Sequence, residues 1–220
     1  MVLDINHRNM IARRAAREIY PGMAVNLGIG IPELVADFLP TEWNVMFHSV
    51  NGILGVGPTP TKGEEDVHLF NAGGAPVTIH SGASFFDSSI AYGMVRRGML
   101  DVAFLGALQV SRKGDLANWI VPGQRVYGIG GGVELVRYAK KVIVLMSHLN
   151  ERDEPKICRE CTLPLTAKSC VDMIITERAV IEVTEGGLYL AEVMYPFTLE
   201  EVITKTDAPL IISENLQMYD

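Results

Sequence analysis

Apolar positions in this chain switch repeatedly between a helical period and short unbroken runs, and several of the switches fall at a Gly or Pro. Met10, Ile11, Ala15 and Ile19 recur near helical spacing with Arg13, Arg14 and Arg17 between them, which predicts a helix over 7–20 stopped by Pro21-Gly22. Residues 24–28 (Ala-Val-Asn-Leu-Gly) predict a buried strand, Gly28-Ile-Gly30 a turn, and Pro32 the first position of a helix over 33–39. A strand is expected at 45–48, followed by a Gly/Pro/Thr-rich loop from Asn51 to about Asp66. Residues 85–97 predict a helix and 101–106 a parallel-type strand. Gly130-Gly131-Gly132 opens a helix through Tyr138, and 141–146 is the next buried strand. Strands at 172–176, 179–183 and 188–190 close the sheet, the last two joined by a turn at Glu185-Gly-Gly.

Strands alternating with helices define an α/β chain, a mostly parallel sheet with helices on both faces, read as one open domain over 1–220. In such sheets ligands bind beyond the carboxyl ends of the strands. The Gly-rich stretches after Leu27, His48, Leu105 and Val126 lie there, so chemistry is expected there. There is no internal repeat and no linker.

Composition narrows the function classes. The 220 residues are 48% hydrophobic and 20% charged, enough for a sizeable core and without low-complexity segments. The net charge is −7 and the cations occur as short pairs such as Arg13-Arg14, Arg96-Arg97 and Lys140-Lys141. No face carries the dense positive stripe that phosphate backbones require, so nucleic acid is set aside as a partner. No apolar run approaches the roughly 20 residues that span a bilayer, so no membrane association is expected. The N-terminal Met1-Val-Leu-Asp-Ile-Asn-His lacks a basic segment followed by an apolar one. Three cysteines, an odd number in an acidic chain, point to a reducing, cytoplasmic setting.

A series of segments then carries a resemblance along nearly the whole chain, in order. They are Val25-Asn-Leu-Gly-Ile-Gly-Ile-Pro32, Asn51-Gly-Ile-Leu-Gly-Val-Gly-Pro58, Asn71-Ala-Gly-Gly74 and Phe86-Asp-Ser88. Leu105-Gly-Ala-Leu-Gln-Val110, Asp115-Leu-Ala-Asn-Trp-Ile-Val-Pro-Gly123, Gly128-Ile-Gly-Gly-Gly-Val-Glu-Leu135 and Cys161-Thr-Leu-Pro-Leu-Thr166 follow. Together they resemble the B-type (beta) subunit of the family I CoA-transferases that act on short 3-oxo acids. The resemblance implies an A-type (alpha) partner subunit in a heterotetramer. It also implies acyl-CoA and short carboxylic acid substrates, with coenzyme A as substrate and no permanently bound cofactor or metal.

The chemistry that the resemblance implies runs through a glutamate in a Ser-Glu-Asn-Gly motif. Its carboxylate attacks an acyl-CoA thioester, expels CoA as a thiolate and forms a mixed anhydride. The thiolate then attacks the glutamyl carbonyl, releases the acid and leaves an enzyme thioester, which hands CoA to a second acid. Here the motif reads His48-Ser49-Val50-Asn51-Gly52. Valine has no lone pair to offer, so the covalent route is expected to be closed at Val50. The resemblance places an oxyanion hole at Gly131 and Gly132. It assigns substrate and CoA contacts to Gly28, Gly30, Ser49, Asn51, Gly52, Asn71, Gly73 and Gly130. An acyl-CoA lyase or decarboxylase on the same scaffold is the alternative activity, and a non-catalytic CoA-binding subunit the alternative of another class.

Other features have blander readings beside the chemical ones. Gly28-x-Gly30 lacks the third glycine of a dinucleotide fingerprint, because Glu33 stands there. Cys158-Arg-Glu-Cys161 has zinc or redox spacing, but only Cys170 and His148 could complete a metal site, and structural thiols are expected. His48 is either a base or a packing residue. Glu64, Glu65 and Asp66 form a solvated loop tip unless one replaces the lost carboxylate. Ser213-Glu214-Asn215 matches the motif in letters only. Phe85, Phe86, Tyr92 and Met94 line either an acyl pocket or a helix core face, and Asp87 caps or orients.

Overall fold

The structure, a computed structural model, describes residues 4–123 and 128–219. Val126, which precedes the last glycine-rich stretch, and the Met1-Val2-Leu3 start of the chain lie outside the described residues. Helix α1 (Ile5–Ala16) precedes β1 (Ala24–Leu27), a 3-10 segment (Ile31–Phe38), β2 (Met46–Ser49), β3 (Ile53–Val56) and β4 (Ile79–Phe85). Helix α2 (Ser88–Arg96), β5 (Val102–Leu105), β6 (Gln109–Ser111), β7 (Leu116–Ala117), α3 (Gly132–Tyr138) and β8 (Lys141–Leu145) come next. The chain continues through β9 (Ile157–Cys158), β10 (Met173–Ile175), β11 (Ala179–Thr184), β12 (Gly187–Met194), α4 (Leu199–Thr204) and β13 (Leu210–Tyr219).

Ten strands form one sheet in the order β13-β12-β11-β10-β8-β5-β1-β2-β3-β4, and β7-β6-β9 form a small second sheet. The five central strands, β10 to β2 in that order, are mutually parallel. Antiparallel pairings lie on both flanks, at β11 and at β3. Strands β5 and β10, and β8 after Lys141, read as unbroken apolar runs because both faces are covered, while β1 and β2 carry the buried, mutually bonded Asn26 and His48. In β5, Val102 and Phe104 join one core while Ala103 and Leu105 join the other. In β8, Ile143 and Leu145 alternate in the same way with Val142 and Val144. On one face lie Ile11, Ala12 and Ala15 of α1 with Val35, and on the other Val95 of α2, Leu135 and Val136 of α3 and Val202 of α4. Phe104 and Ile143 are fully buried, each stabilising by about 1.5–3 kcal/mol over an exposed position.

One buried ionic cluster fastens α1 to the sheet. The Arg14 guanidinium donates through Nε and Nη2 to the two Glu192 oxygens at 2.7 Å each, and through Nη1 to Glu18 at 2.8 Å. Lys141 Nζ reaches the other Glu18 oxygen at 2.9 Å. The bidentate fork fixes the helix rotation as well as its position.

Several elements differ from expectation, each for a local reason. Helix α1 starts at Ile5, capped by the Asp4 side chain accepting from the His7 N–H, and ends at Ala16 rather than residue 20. Arg17, Glu18 and Ile19 bond back three residues instead of four, which tightens the last turn and ends the helix. The helix expected over 33–39 is the 3-10 segment. The loop expected from Asn51 to Asp66 contains β3, whose alternation is hidden by Gly52 and Gly55 at φ of 113° and 95°. A Cβ on Gly55 would lie 3.0 Å from the Ala83 Cβ, so glycine lets β3 approach β4. Phe85 ends β4 and does not begin a helix; α2 starts at Ser88 because Asp87 caps it through the Ser89 N–H. Helix α3 opens at Gly132, with Gly131 as its cap.

His148 marks the best-buried polar joint. Its ring sits between the Thr176 and Thr206 hydroxyls at 3.0 and 2.9 Å, with no exposed surface. Burial, with Arg178 and Lys156 nearby, depresses its pKa to about 3, so the folded chain holds it neutral. The unfolded histidine takes a proton below its ordinary value near 6.5, and the folded one does not. This contribution is therefore full above that value and is lost as pH falls from about 6.5 toward 3. Urea unfolding should show stability falling on acidification, with this one proton adding up to about 1.4 kcal/mol per pH unit, and His148→Gln should flatten the slope.

Candidate active site at the carboxyl ends of the parallel strands

The carboxyl end of β1 is pressed against β5. The Gly28 N–H donates to the Phe104 carbonyl at 2.8 Å, and a Cβ on Gly28 would come equally close to that oxygen. Gly30 then turns with φ at 92°. Its N–H donates to Glu33 Oε2 at 2.8 Å, while Glu33 Oε1 accepts from Asn71 Nδ2 at 2.7 Å. Asn71 in turn accepts through Oδ1 from the Gly73 and Ala75 N–H groups at 2.9 and 3.0 Å. A Cβ on Gly73 would fall 2.6 Å from Glu33 Oε1. One carboxylate thus joins the loop after β1 to the turn at 71–75.

That turn grips the end of β2. The Ala72 N–H donates to Ser49 Oγ at 3.1 Å, and Asn51 Nδ2 donates to the Phe70 carbonyl at 2.8 Å. Gly52 closes the turn into β3 by donating to the Ser49 carbonyl at 3.0 Å. Any side chain on Gly52 would strike the Phe86 carbonyl. Val50 stands at the apex, partly buried, with its side chain packed on the core face that holds α2 and α3. The structure thereby brings Gly30, Ser49, Asn51, Gly52, Asn71 and Gly73 together around Val50, with Gly28 anchoring the neighbouring loop.

Gly131 is reached through α2. Its Cα is so close to the Tyr92 ring that a Cβ would overlap the hydroxyl. Phe86, which meets Gly52, precedes α2, and Tyr92, which meets Gly131, lies within it. Gly132 faces Asn118 and Thr166, whose nearest atoms would lie 3.7–3.9 Å from a Cβ placed on it. Thr166 Oγ1 donates to Asn118 Oδ1 at 2.6 Å, and Asn118 Nδ2 to the Gly106 carbonyl at 3.2 Å. The loops after β5 and β7 and the start of α3 are therefore one packed unit. The first N–H groups of a helix have no intrahelical acceptor, which suits Gly131 and Gly132 to a developing oxyanion. Gly130, exposed with φ at 55°, turns the chain into α3. Burial and then Glu134 raise the Tyr92 pKa, keeping its hydroxyl protonated.

A cleft of about 780 Å³ opens beside these loops, over the ends of β1, β5 and β8, bordered by Gly30, Gly106, Gln109, Ser147, Lys156 and Thr162. Of the expected contact residues it takes in Gly30; Val50, Gly131 and Gly132 lie outside its wall. Sequence reasoning missed Glu33 and Asn118 as parts of the site, and named Tyr92 only as lining either an acyl pocket or a helix core face. Glu33 was visible only as the residue that breaks a dinucleotide fingerprint, and Asn118 lies among expected loop positions.

The remaining candidates have structural roles. His48 is buried, its Nδ1 3.1 Å from Asn26 Nδ2 and its Nε2 3.2 Å from the Ala91 carbonyl. Burial lowers its pKa, as befits a packing residue. Glu65 and Asp66 accept from the Gly63 and His68 N–H groups, and all three acids from 64 to 66 are exposed. Glu214 sits in β13, seven strand spacings from β2, about 34 Å away. Cys158 and Cys161 donate to the Val110 and Asp115 carbonyls at 3.5 and 3.6 Å, and burial pushes Cys170 up to about 12. All three thiols are free, and no cluster of metal-binding side chains occurs among the described residues. Among those residues no helix is long and apolar enough to cross a membrane.

This fold, a mostly parallel α/β sheet, is shared with solved structures. The acyl-CoA transferase of Escherichia coli O157:H7 superimposes over 100% of this chain and 44% of its own, with a TM-score of 0.80 at 23% identity. The chain thus spans under half of that longer protein. The Coenzyme A transferase family matches residues 8–206. Bacillus subtilis strain 168 has a probable coenzyme A transferase whose beta chain is 53% identical over 212 residues, 96% of this chain and 98% of that one. The B-type chain of its probable succinyl-CoA:3-ketoacid coenzyme A transferase is 45% identical over 209 residues, 95% and 97% of the two chains. This chain belongs to the coenzyme A transferase family, among its B-type subunits.

The Glu33 bridge should be measurable. Glu33→Ala should speed amide hydrogen exchange at Gly30 directly and at Gly73 through the loosened Asn71, and cost about 1–3 kcal/mol in urea unfolding, because the Gly30 N–H and Asn71 Nδ2 lose a charged acceptor. Unchanged exchange at both amides would show that the loops hold each other without it.

Proposed function

We propose that this chain is the B-type half of a two-subunit enzyme that handles CoA thioesters of short acyl or 3-oxo acids, pairing with an A-type subunit in a heterotetramer. Residues 1–220 act as one B-type domain in this reading. Val50 occupies the place of the transferring glutamate, so CoA exchange through a covalent enzyme intermediate is closed in this sequence. The observation that carries the reading is the apex position of Val50. It is held between Ser49 and Asn51, each tied to the turn at 70–72, within a family whose members transfer CoA.

The residues divide the work. Gly131 and Gly132 supply N–H groups toward a thioester oxygen, and one such donor is worth about 3–4 kcal/mol to a developing oxyanion. Gly28, Gly30, Gly52, Gly73 and Gly130 keep the backbone close to the bound acyl-CoA, while Ser49, Asn51 and Asn71 hold the loops in register. Asp87 caps α2 and so fixes the floor under Gly52. With a hydrocarbon at residue 50 the site binds and polarises a thioester, and no anhydride forms.

Co-expressed with its A-type subunit and mixed with acetoacetyl-CoA, the chain should show no CoA adduct by intact mass. Val50→Glu should gain a hydroxylamine-sensitive adduct and CoA exchange faster by at least about 10³-fold, the scale of covalent catalysis lost with a nucleophile. Brisk exchange with Val50 in place would refute the reading. Carbon dioxide release from a carboxylated acyl-CoA would instead assign the site to decarboxylation.

A further inference from the structure

The cleft beside the glycine loops contains an ammonium group that makes no direct ion pair with a carboxylate among the described residues. Lys156 is half-buried in its wall, and its backbone is pinned on both sides, its N–H donating to the His148 carbonyl at 3.0 Å and its carbonyl accepting from the Val110 N–H at 2.9 Å. Its Nζ donates to Ser147 Oγ at 3.2 Å. Among the described residues no carboxylate forms an ion pair with it. Glu177 accepts from the His148 N–H at 2.9 Å and lies 3.3 Å from Arg178, and Glu154 accepts from Asn150 at 2.7 Å. Glu177 offsets the Lys156 charge only from a distance, with its oxygens engaged by the His148 N–H and Arg178, so a half-buried cation facing a neutral hydroxyl is stabilised further by an anion that completes the site.

From this geometry we infer that Lys156 and Ser147 form a carboxylate-binding site, which takes a carboxylate of the short acid or acyl group at the end of the cleft. This rests on the proposed CoA-thioester function and names the part of the substrate that the cleft reads. The Ser147 oxygen accepts from Lys156, which leaves its own proton to donate. The ammonium and the hydroxyl are close enough to serve the two oxygens of one carboxylate. A cleft of about 780 Å³ has room for a short acid with part of its thioester chain.

Charge state then governs affinity. Burial lowers the Lys156 pKa to about 8, opposed by Glu177. The charged groups around it are Arg8 of α1, Glu151, Arg152 and Glu154 of the loop after β8, and Glu177 with Arg178 between β10 and β11. His148 stays neutral. Carboxylate binding should be strongest below about pH 8 and weaken as the ammonium deprotonates above it.

The test uses the complex of this chain with its A-type subunit and calorimetric binding of succinate, acetoacetate and CoA between about pH 6.5 and 9.5, a window that brackets the lysine's titration. Lys156→Gln should weaken succinate or acetoacetate by about tenfold or more, flatten the pH dependence, and leave CoA within about twofold. Ser147→Ala should weaken the acids about threefold or more while keeping the pH dependence, and it serves if the lysine variant does not fold. Unchanged acid affinity in the folded variants would overturn the assignment, as would a loss confined to CoA. These measurements need no nucleophile, so they stand apart from the adduct experiment on Val50.

Discussion

Five adjacent parallel strands, dry on both faces, are the constraint from which the rest follows. With α1 on one side and α2, α3 and α4 on the other, β10, β8, β5, β1 and β2 leave little room for polar side chains pointing into either core. Polar groups are therefore displaced to the strand ends, where backbone N–H groups need partners. Glu33 answers that need for the loop after β1, and Asn71 passes the connection to the end of β2. Asn118 does the same for the loops after β5 and β7. The site is the set of loops that the sheet leaves over, drawn together by two amide side chains and one carboxylate.

Within that set, residue 50 is held with more care than a surface valine requires. Ser49, Asn51 and Gly52 each have a defined partner, and Gly52 touches Phe86 so closely that only glycine fits. Such a frame serves a side chain that must be placed, and the side chain placed here is apolar. Its contacts with the α2–α3 face make it comfortable as a core residue. In the proposed function this frame holds a hydrocarbon where the family resemblance implies a glutamate, beside the glycine cap of α3.

Much of this was legible in the residues. The apolar runs at β1, β5 and β8 announced a buried parallel sheet, and the glycine stretches announced its carboxyl edge. What stayed hidden had physical causes. β3 and β4 are obscured by Gly55 and Gly82, both with positive φ, and β13 is an exposed edge strand whose sequence does not alternate cleanly. The 3-10 segment after Gly30 reflects a carboxylate reaching backward to an N–H, a need that the apolar pattern does not encode. Glu33 read as a missing glycine until its partner at Asn71, 38 residues away, was in place. Lys156 carries no motif at all; its character comes from the neighbours that do not pair with it.

In the proposed function, residue 50 faces the bound thioester with a hydrocarbon. A crystal structure of the chain with its A-type subunit and a non-hydrolysable acyl-CoA tests this most directly. The Val50 methyl groups should stand in van der Waals contact with the acyl carbonyl carbon, about 4 Å away, with the carbonyl oxygen toward the Gly131 and Gly132 N–H groups. An acyl group held elsewhere, or Val50 turned aside with Glu64 or Glu65 over the carbonyl, would contradict it.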